Sequence, residues 1–441
     1  MSTVSGADPA LVADAVEFCS RLIRFDTSNF GGGRSRGERP CAEWIAQLLA
    51  DAGYDPLVLE SAPGRANTVA RIPGADRTAP ALLVHAHLDV VPVAAEDWSV
   101  DPFGGEVRDG AVWGRGALDM KNMAAMTLAV VCSLARDGIV PPRDIVLAFV
   151  ADEEDTGAYG SGFLVREHAG LFAGVRVAIG ESGGHAVHLP DGSRLYPIAT
   201  GERGSAWMNL EAAGPAGHGS RPNPGNAVAA LAGAVARLAQ HRWPVHLTPT
   251  VAALVDGLST HLGVDVDLTD PAGLDQFGEA AVLVASTMSN SLNPTMLRAG
   301  YKHNVIPSTA TAGVDGRILP GAQDAFFATV DRLLGGRVSR TFVNYDEPVT
   351  ARHDSPDFAA MAAALRACDP QALILPYCMA GGTDAKAFSR LGIECYGFAP
   401  GTTPPGFAYG DYVHGVDERV LVDSLAFGAA VLGRYVTAEP A

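Results

Sequence analysis

Imidazole and carboxylate groups follow three short apolar runs, and metal binding is the chemistry such clusters serve. Ala81-Leu82-Leu83-Val84 leads into His85-Ala86-His87-Leu88-Asp89. Ile145–Val150 leads into Asp152-Glu153-Glu154-Asp155, and Val175-Arg176-Val177-Ala178-Ile179 into Gly180-Glu181. Oxygen and nitrogen donors mixed in this way suit Zn, Mn or Co. His85 and His87 share a face by period-two geometry, so a loop must separate their roles. A carboxylate such as Asp89, near a ligating imidazole, accepts the other ring N–H and fixes the tautomer. Alone, the motif equally describes a histidine hydrogen-bonded at a strand end. Adjacent Glu153 and Glu154 repel each other and lose solvation at a buried strand end, and a cation offsets both costs. Chain neighbours project differently, so one can ligate while the other holds water. A solvated acidic loop, with Asp152 and Asp155, is the alternative. Asp119 follows Gly114-Arg115-Gly116-Ala117-Leu118 at a helix start, where an acid by itself reads as a cap.

The elements around these residues follow from periodicity. Short β-branched runs bounded by polar residues read as buried parallel strands. In open α/β sheets, ligands bind beyond the carboxyl ends of such strands. Residues 10–25 and 41–53 read as amphipathic helices, separated by a Gly- and Arg-rich loop from Asn29 to Arg39. Residues 119–137 form an Ala-, Met- and Leu-rich helix that closes at Gly138. From Gly201 the texture changes to strand 206–210, helix 226–240, strand 308–318, helix 325–334 and strand 338–345. That order suggests a small α+β unit, with residues 243–285 as a candidate insertion. From about residue 354 the α/β texture returns: helix 357–367, the Gly381-Gly382-Thr383 loop and strand 393–398. The expected fold class is therefore α/β, with a mixed, mostly parallel sheet carrying helices on both faces and an inserted α+β lid. Residues 1–198 and 350–441 would form the discontinuous catalytic domain, and 199–349 the lid.

The chain has 441 residues, too many for one typical core, and 48% of them are hydrophobic, an ordinary globular balance. A net charge of −17 argues against nucleic acid and anionic membranes as partners, since both need clustered Lys and Arg. Cys19, Cys41, Cys132, Cys368, Cys378 and Cys395 form no C-x-x-C pair and read as buried reduced thiols. No basic segment followed by an apolar core opens the chain, and no long apolar run suits a membrane span. A cytoplasmic protein is the expectation.

Taken together and in order, these motifs resemble the M20 family of dinuclear metallopeptidases and deacylases. That family includes acetylornithine deacetylase, succinyl-diaminopimelate desuccinylase, aminoacylase and glutamate carboxypeptidases. The resemblance runs from His85-Ala86-His87-Leu88-Asp89-Val90-Val91-Pro92 through Gly114–Lys121 and Asp152-Glu153-Glu154 to His414-Gly415-Val416-Asp417-Glu418. It implies two divalent ions, zinc first, with cobalt or manganese as alternatives. His87 and Glu181 would sit on different ions, with Asp119 bridging, Glu154 completing the first pair and His414 the second. Glu153 would be the general base and Asp89 the support of His87, while His85 would not ligate. The peptide after Asp119 would be cis. His218, in Gly217-His218-Gly219-Ser220, would donate to the oxyanion, reaching the partner's site in a homodimer formed through the lid. Asn304, Arg317, Gly382 and Thr383 would bind substrate, Arg317 by forking a carboxylate. An ion pair between Arg317 and a lid carboxylate is the alternative for that residue. The lid is longer than the family's compact form, and Asn122 stands where Gly is common.

The resulting expectation is an amide hydrolase in which metal-bound hydroxide attacks a short peptide or N-acyl amino acid beside a free carboxylate. A peptidase reading comes first and an N-acyl-amino-acid deacylase second. A non-catalytic metal-binding regulator and a dinuclear phosphoesterase are the rivals from other classes. The phosphoesterase would want more Lys and Arg to hold phosphate.

Overall fold

A computed structural model describes residues 8–268, 270–407 and 409–439; the outer ends of the expected catalytic domain, 1–7 and 440–441, lie outside the described residues. The apolar runs become neighbouring parallel strands. Ala81–His87 lies between Ile145–Val150 and Val175–Gly180, and Glu394–Gly397 extends the parallel set beyond the latter. His87 pairs with Val150 and Val84 with Ile179. This register brings the polar residues after each strand to one edge. Ile145–Val150 is buried at every position, as a strand covered on both faces must be. Antiparallel Arg65–Ile72 and Leu57–Ala62 close one side of the sheet. Arg194–Glu202 and its parallel neighbour Leu373–Met379 close the other.

Helices cover both faces. Pro9–Ile23, Arg39–Asp51, Lys121–Asp137, Pro356–Cys368 and Val422–Val436 pack into one core with Leu82, Val84 and Leu147. Phe163, Leu164, Phe172 and Phe388 form the core on the opposite face with Leu83 and Val146. The helix Lys121–Asp137 ends at Gly138 with φ 66°, a left-handed stop that glycine adopts without a Cβ clash. Among the described residues, no helix is long and apolar enough to cross a membrane, and no cysteine is in a disulfide.

A second sheet of four antiparallel strands has the order Ser291–Ala299, Thr309–Ile318, Gly204–Ala213, Val338–Asp346. Ala206, Met208, Leu210 and Ala212 alternate inward on Gly204–Ala213, as one-sided burial requires. They meet the helices Ala227–Gln240 and Gln323–Leu334. Asn226 caps the first of these, accepting from Val228 N and Ala229 N.

The stretch left unparsed in sequence, 243–285, joins this second core through Trp243, which stacks on Phe326, and then leaves it. Its helix Pro249–Leu262 places Val251, Leu254 and Leu258 on Leu195, Ala199, Tyr377 and Cys378 of the large sheet. At Gly257 an added Cβ would stand 2.4 Å from Leu375 Cδ2, so only glycine admits so close an approach. The strand Ser291–Ala299 contains Pro294 and sits at a sheet edge, the place where a strand tolerates proline. Leu254→Ala should cost about 2–5 kcal/mol through the cavity left behind. The check is a lowered denaturant midpoint at unchanged slope, and an unmoved midpoint would contradict this packing.

Candidate metal centre and active site

The sheet brings His87, Asp119, Glu153, Glu154 and Glu181 together and adds His414 from the far end of the chain. His87 is fully buried, and its Nδ1 donates to the Asp89 carbonyl oxygen at 2.9 Å. Because a carbonyl only accepts, Nε2 is left facing the cluster, where Asp119 Oδ1 lies at 3.0 Å and Glu181 Oε2 at 3.6 Å. The other Asp119 oxygen, Oδ2, lies 3.1 Å from His414 Nε2, and Glu154 Oε2 lies 3.2 Å from the same nitrogen. One carboxylate thus spans two imidazoles. Ligand atoms of His87, Asp119 and Glu154 lie within 4.8 Å of one another, as do those of His87, Glu153 and Glu181.

Three expectations change in detail, although the peptide after Asp119 is cis as the resemblance implies. Asp119 does not cap its helix, which starts without a side-chain cap; its carboxylate is spent on the two histidines. The Asp89 carboxylate is not the group that orients His87, since Oδ1 stands 3.8 Å from Nδ1. Asp89 instead accepts from Glu153 N at 3.1 Å, Glu154 N at 3.2 Å and Asn29 Nδ2 at 2.9 Å. It thereby fixes the turn that carries both glutamates. Beyond Asp119, the closest carboxylate–imidazole approaches pair Glu181 with His87 and Glu154 with His414, the reverse of the sharing the resemblance implies.

The electrostatics fit a cationic occupant. Burial and the neighbouring Glu181 push Glu153 well above the usual carboxylate range. Burial raises Glu181 to about 7 despite a hydrogen bond from His87. Burial would also raise Asp119, but hydrogen bonds from His414 and His87 hold it below the ordinary range. Hydrogen bonds to Asp119 and Glu154 lift His414 to about 10. Protons on the imidazoles thus balance part of the carboxylate charge. Glu154 Oε1 is buried with no hydrogen-bond partner among the described residues, a position that a bound cation relieves. Acid and imidazole donors with one orphaned carboxylate oxygen fit divalent metal ions.

Residues outside the expected set hold the frame. Glu418 is fully buried and accepts from Arg115 Nη1 at 2.6 Å, Leu118 N at 2.7 Å, Gly116 N at 3.0 Å and Asp119 N at 3.2 Å. Arg115 Nη2 donates to the His414 carbonyl at 3.1 Å. Asn29 starts a short hairpin, Asn29–Gly31 with Arg34–Ser35, where a plain loop was expected. It also bridges Asp89 to Asp152 Oδ1 at 3.2 Å. The residues Asp152, Ser182 and His414 take φ of 72°, 71° and 60°, left-handed backbone that costs energy away from glycine. His85 stays outside the cluster, its ring against Phe388 and its pKa lowered by burial to about 3.

The expected substrate-binding residues fall into two groups. Arg317, Gly382 and Thr383 line one cavity with Glu153. Arg317 there forks onto Asp315 at 2.9 and 3.1 Å, the ion pair named as its alternative. His218 and Asn304 do not line that cavity. Both are exposed beside each other on the second sheet's side, where Gly219 N donates to Asn304 O at 2.9 Å and Ser220 Oγ lies 2.8 Å from His218 Nδ1.

Known proteins resemble this chain in sequence and in fold. The chain is 28% identical over 430 residues to N-fatty-acyl-amino acid synthase/hydrolase PM20D1 of Xenopus tropicalis, covering 93% of this chain and 83% of that one. It is 29% identical over 386 residues to aminoacylase-1 of Sus scrofa, covering 86% and 84%. In fold it is similar to the M20 family metallo-carboxypeptidase Sso-CP2 of Sulfolobus solfataricus, with a TM-score of 0.70 at 19% identity over 98% and 99% of the two chains. It is also similar to human carnosine dipeptidase 1, with a TM-score of 0.67 at 16% identity over 98% and 99%. The family model for peptidase family M20/M25/M40 matches residues 83–438, a span that holds every residue of the cluster, and so the chain belongs to that family of metallohydrolases.

Proposed function

We propose that this protein hydrolyses N-acyl amino acids, cleaving the amide bond next to the free carboxylate. The observation that carries this reading is Glu153, which sits against the histidine–carboxylate cluster and lines the cavity that also holds Arg317. The sequence relatives named aminoacylase-1 and N-fatty-acyl-amino acid synthase/hydrolase support an acyl amino acid over a peptide. The dipeptidase and carboxypeptidase likenesses, at 16% and 19% identity, speak for the fold alone.

In this proposal His87, Asp119, Glu154, Glu181 and His414 would hold two divalent ions, zinc first. Bound ions would supply Lewis acidity for the amide carbonyl and for water. Glu153 Oε2, 4.0 Å from His87 Nε2, takes one proton from the attacking water. It returns that proton to the amide nitrogen as the carbon–nitrogen bond breaks, so one residue serves as base and then as acid. The buried site that raises Glu153 suits it to hold the proton between the two steps. Asp89 keeps Glu153 in place through its backbone amide. His218 lies apart from Glu153 in its own chain, which supports its service to a second copy in a homodimer. Buried free thiols support a reducing, cytoplasmic setting.

Glu153→Gln should lower turnover on an N-acyl amino acid by about 10²–10⁴-fold while bound metal, measured by elemental analysis, stays at the wild-type level. Retained turnover would remove Glu153 from the chemistry. Chelation should abolish hydrolysis and lower the melting midpoint, because an ion that binds only the folded chain stabilises it; zinc, cobalt or manganese should restore both. Mixing the inactive variants Glu153→Gln and His218→Ala should regenerate roughly a quarter of wild-type turnover, since only half of randomly paired dimers are mixed and each carries one intact site. No recovery would place His218 in its own chain's site or outside the reaction.

A further inference from the structure

The cavity beside Glu153 holds three cations, Arg317, Lys386 and Arg390. Two of them are paired: Arg317 with Asp315 at 2.9 Å, and Arg390 with Asp346 at 3.1 Å. The Lys386 ammonium makes no hydrogen bond or ion pair with any of the described residues, although much of its side chain is buried. An ammonium has three donors and no acceptor, so those of Lys386 are left to whatever occupies the cavity.

The loop before Lys386 explains how it is held there. Thr383 donates to Glu202 through N at 3.0 Å and Oγ1 at 2.6 Å, and Ser161 Oγ donates to Asp384 Oδ1 at 2.5 Å. With its C-terminal end anchored at Thr383 and Asp384, the loop lays Gly382 under the lysine. A Cβ at Gly382 would stand 2.2 Å from Lys386 Nζ, so the ammonium occupies the space a side chain would take. Burial lowers its pKa, and Glu202, the strongest opposing charge, favours its proton. Glu202 bonds Thr383 through both oxygens and acts on Lys386 by its charge, with no hydrogen bond between them.

In an N-acyl amino acid the carboxylate is one carbon from the scissile nitrogen. Its cation must therefore border the group that protonates that nitrogen. Lys386 lines the cavity with Glu153, and its charge is felt there. We propose that Lys386 seats the substrate's carboxylate and that the Gly381–Thr383 loop exists to present it. Arg317, its fork closed on Asp315, then shapes the opposite wall. The inference rests on the N-acyl-amino-acid reading and names the residue that makes the carboxylate a requirement.

The test compares an N-acetyl amino acid with its carboxamide. Wild type should prefer the acid. Lys386→Met should raise KM for the acid about 10–100-fold with kcat nearly unchanged, the mark of a charge-assisted hydrogen bond removed equally from ground and transition states. KM for the carboxamide should not move, and Lys386→Arg should recover part of the preference. Product binding gives a second readout: in Glu153→Gln protein, calorimetry should show the free amino acid binding more tightly than its amide, and the added Lys386→Met change should erase that difference. If Lys386→Met does not fold, Lys386→Gln takes its place in both measurements. An intact acid-to-amide ratio in a folded position-386 variant overturns the proposal. Wild-type enzyme inactive on every N-acyl amino acid would instead overturn the reading beneath it.

Discussion

Asp89, Asp119, Glu153, Glu154 and Glu181 crowd around His87 and His414 at the ends of parallel strands, and their mutual repulsion is the constraint the rest of the fold answers. Buried carboxylates in contact cannot all stay ionised without compensating charge. The chain's own answer is partial: protons on His87 and His414 serve Asp119, while Glu153 and Glu181 rise toward neutrality. The remainder is left for cations. The site therefore concentrates buried acid, at an energetic cost that the large apolar cores must cover.

Holding these groups together under repulsion needs fixed backbone, and two buried acids provide it. Asp89 accepts the amides of Glu153 and Glu154, and Glu418 accepts those of Gly116, Leu118 and Asp119. Each carboxylate is bonded to the main chain of the residues it positions. Neither clamp relies on a side-chain rotamer of the cluster, so the clustered carboxylates remain free to face inward. Arg115 extends the second clamp across the molecule by bonding both Glu418 and the His414 carbonyl. That link places His414 opposite Asp119 although some 300 residues separate them in sequence.

The cluster was legible because its residues follow apolar runs, and strand ends in a parallel sheet share an edge. Glu153, Glu154, Glu181 and His87 could be placed that way from sequence. His414 could not, since it stands after no strand; only its motif marked it. Glu418 lies four residues further on in that motif, but an acid bonded to backbone amides leaves no periodic trace. Asn29 was hidden in a Gly-rich stretch that reads as loop, and its bonds to Asp89 and Asp152 are long-range. The sharing of Glu154 and Glu181 between the histidines depends on where each turn aims its side chain. The left-handed φ at Asp152 and Ser182 sets that aim, and nothing in residue type announces it.

The division of labour between the two sheets follows from the same placement. The large sheet brings His87, Glu153, Glu154 and Glu181 to one edge, and the second sheet adds Arg317 and Trp207 to the wall of the cavity beside them. Residues 249–285 fall between the two halves of the second sheet in sequence yet bury Leu254 and Leu258 on the large one. The chain therefore crosses between sheets twice more than a simple insertion requires. The first and last crossings tie the wall to the frame: Arg203 Nε donates to Ala380 O at 3.1 Å, and Arg390 reaches Asp346. The loop that follows Ala380 carries Gly382 and leads into the short helix Ala385–Phe388, which holds Lys386, so the contact that docks the second sheet is chained to the cation that shares the cavity with Glu153. Substrate selection and sheet docking thus share one loop, and a change that loosens the docking is transmitted to the cavity floor.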